Sequence, residues 1–182
     1  TRQQLAKRDV HELANISDAL ASTEPVRNLG VLMDSELTME DHVIKLCNTC
    51  FYHLRRLRTI KQSLTPASLR TLVHAFICNR VDYCNSILYG ASARVLDRIQ
   101  SALNAAARLI LGLRKYDHIS KAMRENLHWL PARQRINFKV CLLARNCLVG
   151  AASDNLRELF FQLSTTTRKN LRAAARGDLL VP

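Results

Sequence analysis

The sequence predicts a mainly α-helical domain of five to six helices, preceded by a short β strand or hairpin. Apolar residues recur at helical spacing through most of the chain, and most helix starts are marked by a hydroxyl or carboxylate residue. One short apolar run, Val26 to Met33, instead has the length and flanks of a strand. With 182 residues, 48% of them apolar, the chain can bury one sizeable core without disulfide or metal staples. Few glycines and prolines exclude collagen-like and low-complexity readings.

Taken in order, residues 1–25 are mixed and polar, with Ser22-Thr23-Glu24-Pro25 closing them as a loop. Residues 1–37 therefore hold the strand or hairpin, 38–163 the helical domain, and 164–182 a basic tail of weak periodicity. Thr38 followed by Asp41 is close to a capping box and opens a helix to about Gln62. Val43, Leu46, Cys47, Cys50, Leu54 and Leu57 share one face of it; Lys45, Thr49, Tyr52 and Arg56 share the other. Thr65-Pro66 starts a second helix, expected to run toward Leu88 and stop at Gly90. Ser92 caps a third that ends at Gly112. A short helix follows Ser120, Pro131 begins a long one reaching Gly150, and Asp154 caps a last short one.

Charge is distributed unevenly along this order. The chain carries 27 basic and 15 acidic residues, a net +12, yet residues 1–41 hold only 4 of the basic and 8 of the acidic ones. Between His42 and Val81 there is no acid, against Lys45, Arg55, Arg56, Arg58, Lys61, Arg70 and Arg80. Such asymmetry points to a polyanionic partner, nucleic acid first, with an acidic membrane surface or an acidic protein as the other readings. A basic helix face with one aromatic, Tyr52, suits tracking of a phosphate backbone, although a solvated face carries the same residues.

Catalytic chemistry is harder to place. Cys47-x2-Cys50 has zinc-ligand spacing but lies on an apolar helical face, with no second pair at finger distance. All six cysteines read as buried free thiols, which fits a reducing compartment. His11, His42, His53, His74, His118 and His128 form no ligand pair, and no phosphate-binding loop or nucleophile elbow occurs. Glu40 and Asp41 are first-turn acids favourable to the helix dipole, and Asp34 and Glu36 are loop acids. No catalytic residue and no metal site is assigned. The first residues show no basic-then-apolar signal-peptide pattern, and no segment is expected to span a bilayer. The first residue is Thr, so the chain is expected to be a piece of a longer protein.

The run Val26-Arg27-Asn28-Leu29-Gly30-Val31-Leu32-Met33-Asp34-Ser35 resembles a segment of the reverse transcriptases of non-LTR retrotransposons, the LINE elements of the chicken-repeat, LINE-2 and jockey-like groups. The resemblance continues in colinear order through Leu64-Thr65-Pro66, Leu72 to Phe76, Val81 to Gly90 and Leu103 to Ile110. Leu127-His128-Trp129-Leu130-Pro131, with Arg133 and Arg135 behind it, is its most distinctive phrase, and Leu179 to Pro182 its last. It implies that Leu29, Gly30 and Val31 lie in a primer-grip-like palm edge and that the helices form a thumb-like bundle. The family's metal-binding aspartates, which hold Mg2+ in the full-length parent, have no counterparts here, so this chain alone would not be an enzyme and would need no cofactor. Palm, fingers and endonuclease domains would lie upstream.

RNA and DNA, as a template–primer duplex, would be the partners, inside the cell in nucleus or cytoplasm and with no membrane. Lys45, Tyr52, Arg55, Arg56, Arg58 and Lys61 would grip the duplex, with Arg133 and Arg135 adding phosphate contacts beside free helix N–H groups. His128 and Trp129 are expected to pack between helices, and Asp82 and Tyr83 to tie the second helix to a neighbour. A stand-alone helical module, derived from a retrotransposon and binding nucleic acid or protein, is the other reading.

Overall fold

A β-hairpin opens the described part of the chain, residues 25–158 of a computed structural model. Strands β1 (Val26–Asn28) and β2 (Val31–Met33) pair antiparallel, with Asn28 opposite Val31, leaving Leu29 and Gly30 as a two-residue turn. Both turn residues have positive φ, 45° at Leu29 and 88° at Gly30, the pattern of a turn that matches strand twist. Gly30 adopts that angle freely; Leu29 does so under strain. The run pairs with itself, so the hairpin alternative of the fold prediction is the one adopted. The expected polar segment 1–25, but for Pro25, and the 164–182 tail lie outside the described residues.

Helix α1 (Glu40–Ile60) follows, but Thr38 and Asp41 do not form the expected capping box. Its N-cap is Met39, at φ 61°, with no side-chain cap. Asp34 takes the role from a distance: its carboxylate accepts from Thr38 N at 2.8 Å, Met39 N at 2.9 Å and the Thr38 hydroxyl at 2.8 Å. It is thus a structural acid, not a plain loop acid. Burial would raise its pKa, but these hydrogen bonds outweigh it and hold the carboxyl below its usual value.

Helix α2 (66–82) begins as expected, Thr65 accepting from Ser68 N at 3.1 Å with Pro66 in the first turn. It is α-helical over Pro66–Val73, widens into a π turn over His74–Cys78 and closes as α over Asn79–Asp82. It stops there, short of Leu88, because Tyr83 is extended and Cys84 left-handed; a separate 3-10 turn covers Asn85–Leu88. Ser92 caps α3 (Ala93–Leu111) through Val95 N, and left-handed Gly112 ends it, both as predicted. Then come α4 (Ile119–Asn126), α5 (Ala132–Leu148) and α6 (Asp154–Arg157), whose N-cap is Ser153 and not Asp154.

The described chain is mainly helical, six helices behind one hairpin. It divides into two units, Thr1–Arg135 and Ile136–Pro182, so the hairpin shares a unit with the helices that follow it. In the first, α1 packs most extensively on α3, burying Val43, Cys50 and Leu54 with Val95, Ile99, Leu103 and Ala106. Leu69, Val73 and Ile77 of α2 and Ile119 and Met123 of α4 complete this core. The second unit contains most of α5 and α6, with Cys147 buried. No helix among the described residues is long and apolar enough to cross a membrane.

Candidate nucleic-acid interface

Helix α1 sorts its residues as the apolar spacing demands. Val43, Cys47, Cys50, Leu54 and Leu57 are buried, while Lys45, Tyr52, Arg55, Arg56 and Arg58 are exposed. Arg70 and Arg80 of α2 are exposed as well, and Lys61 is half-buried. Among the described residues the ion pairs are Arg135–Asp82 and Arg157–Asp154, so none of these seven cations is paired. Tyr52 stands edge-on to His53, which stacks on Phe76 of α2 with ring centroids 4.9 Å apart.

Two grooves flank this helix. The first, about 550 Å³, lies beside the hairpin turn and is lined by Arg27, Lys45, Arg80, His42 and Tyr83 among others. The Tyr83 hydroxyl donates to Leu29 O at 2.7 Å and so fixes the strained turn. His42 Nδ1 accepts from Leu32 N at 3.3 Å, which requires the ring to be neutral, and burial pushes its pKa down accordingly. Leu29 and Gly30 line this groove; Val31 is buried beneath them. The second groove, about 600 Å³, lies along the last turn of α1 and holds Arg58, Lys61, Arg108 and Lys115, with no carboxylate in its lining.

Arg133 and Arg135 have different fates. Arg133 is exposed on the first turn of α5. Arg135 has a side chain only 11% exposed, bonds Asp82 at 2.7 Å and Leu130 O at 2.9 Å, and lies over the Trp129 ring. Its guanidinium is spent inside the first unit, joining the end of α2 to residue 135 itself. The first free N–H of α5 is likewise taken, since Ala132 N donates to Gln100 Oε1 at 2.8 Å. Asp82 and Tyr83 therefore tie α2 to its neighbours as expected. Trp129 is buried edge-on to His74, but His128, left-handed at φ 54°, is exposed and does not pack between helices.

The cysteines also divide. Cys47, Cys50, Cys78 and Cys147 are buried, whereas Cys84 is half-buried and Cys141 exposed, correcting the expectation that all six are core residues. Burial pushes the Cys50 thiol up to about 12 and Cys78 to about 11, the wrong direction for a thiolate ligand or nucleophile. Among the described residues no three His, Cys, Asp or Glu side chains are placed to hold a metal ion. Asp34, the acid nearest the hairpin's exit, has its oxygens taken by the start of α1.

The cations of α1 were legible from their spacing. Arg80 stood out only as a member of the acid-free run, and Arg27, Arg108 and Lys115 not as cations of a site, because all four join the grooves only through the packing of hairpin, α2 and α3 on α1. Their one sequence signal is the same excess of Arg and Lys. The chain matches no protein-family model, no curated protein and no solved structure.

Proposed function

We propose that this chain is the palm-edge and thumb portion of a non-LTR retrotransposon reverse transcriptase and that it grips a template–primer duplex by its phosphates. The observation that supports the reading most is the set of seven unpaired cations between His42 and Val81, six of them exposed along α1 and α2, continued into two carboxylate-poor grooves. A grip of this kind needs positive charge on a rigid scaffold and no reading of bases. The resemblance of Val26 to Ser35 and Leu127 to Pro131 to that family supplies the rest of the reading.

Binding of a labelled RNA–DNA hybrid across a salt series tests it. A phosphate grip gives an affinity that falls steeply with salt, and replacing Arg55, Arg56 and Arg58 with Gln lowers the log–log slope by about 2 to 3. Absence of binding at low salt would sink the reading and favour a protein-binding helical module. Extension of an oligo(dT) primer on poly(A) gives no product with this chain alone; metal-dependent extension would overturn its assignment as a non-catalytic part.

A further inference from the structure

We infer that the groove built by Arg58, Lys61, Arg108 and Lys115 is a phosphodiester site, the place where one stretch of nucleic-acid backbone is seated. The inference rests on the proposed function and assigns it a location that the α1 helix face alone does not provide. The four cations come from α1, the turn after it, the end of α3 and the loop beyond Gly112, and they converge on one concavity of about 600 Å³. Convergence of like charges without a carboxylate is unfavourable in the free protein and becomes favourable when an anion enters.

Two of the four are already held in place. Lys61 Nζ donates to Leu109 O at 3.0 Å, at the carbonyl end of α3, and Arg108 Nη2 donates to Asp117 O at 3.2 Å. Those bonds use neutral carbonyls, so both side chains keep their full charge. Arg108 Nε is buried and has no hydrogen-bond partner, a donor for which a phosphate oxygen is the matching acceptor after a small turn of the guanidinium. Left-handed Gly112 forms part of the rim, in ordinary contact range of Lys61 Nζ, 3.9 Å from where a Cβ would sit. Phe51 and Leu113 provide an apolar wall against which a sugar can pack.

The test compares three variants of the whole chain by anisotropy of a labelled RNA–DNA hybrid over a salt series. Lys115 is exposed, so Lys115→Gln leaves the fold intact and lowers the log–log slope by about 1; adding Arg108→Gln takes the loss to about 2, with affinity down about tenfold or more. Thermal melting of each variant shows whether loss of the Arg108–Asp117 bond has disturbed the fold, and the single Lys115 variant decides if it has. The third variant, Arg55→Gln with Arg56→Gln, lies outside the groove. If it weakens binding while Lys115→Gln leaves slope and affinity unchanged, the groove assignment is overturned and the proposed function stands. If the unaltered chain binds no hybrid at low salt, both fall.

Discussion

Leu29 carries a backbone angle that leucine avoids, and it does so as a residue 84% exposed. Nothing apolar rewards the position, so its strain is held by the turn geometry and by the Tyr83 hydroxyl on its carbonyl. Leu29→Asn, which makes the Asn-Gly pair that this turn prefers, is therefore expected to raise stability by about 0.5–1 kcal/mol in urea unfolding. A neutral or destabilising result would show that the leucine packs in solution. His42 gives a second residue-scale expectation. Its folded pKa lies below the ordinary 6.5 because the ring is buried. The unfolded chain thus takes up the proton first, and the stability that His42 contributes is present above pH 6.5 and is lost as pH falls through the folded value. His53, lowered by burial and by Arg80, acts in the same sense. Urea midpoints at pH 7.5 and 5.5 should differ, and the difference should shrink in His42→Asn and shrink further when His53→Asn is added. A pH-independent midpoint would refute the neutral-His42 bond to Leu32.

At the scale of elements, legibility followed local chemistry. Thr65-Pro66, Ser92 and Gly112 act within a single turn, and each marks a boundary that the fold keeps. The break after Asp82 has no glycine or proline to announce it: Cys84 takes a left-handed angle, and the π turn at His74–Cys78 re-aims the residues behind it. Asp34 was read as a loop acid because its partners, Thr38 and Met39, lie outside the three-residue spacing of a capping box. The Asp82–Arg135 join was half-visible, since Asp82 carried the expectation but Arg135 was assigned to phosphate. That join can be measured. Arg135 is nearly buried while Asp82 is 44% exposed, so removing the carboxylate strands a poorly solvated cation. Asp82→Ala is expected to cost about 1–3 kcal/mol, less than a fully buried pair because water reaches the acid. Arg135→Met should restore part of that loss in the double variant, since it removes the charge left stranded. Strictly additive losses in the cycle would mean that the two side chains do not interact.

At the scale of the molecule, charge that is uneven along the chain is gathered further by the fold of the described residues. Residues 1–41 hold 8 of the 15 acids, and the cations that follow stay unpaired along α1 and α2 and around two grooves. The excess itself was plain in the sequence; the grooves were not, because Arg27 and Arg80, or Arg108 and Lys115, become neighbours of α1 only after packing. This arrangement has a consequence for what the protein distinguishes. Arg and Lys placed around open grooves of about 550 and 600 Å³ meet phosphates, which are the same at every step of a duplex. Base-edge reading needs an element seated in a groove of the nucleic acid with side chains fixed against particular donors and acceptors. On α1 the exposed side chains are instead mainly cations on long stems, Lys45, Arg55, Arg56 and Arg58, interspersed with Tyr52, Asp41, Asn48, Thr59 and Ile60. Two hybrids of equal length and unrelated sequence should therefore bind with affinities within about threefold and with the same salt slope. A difference of a hundredfold or more, about 2.7 kcal/mol, would mean that some residue reads bases and that the cations are only its anchor.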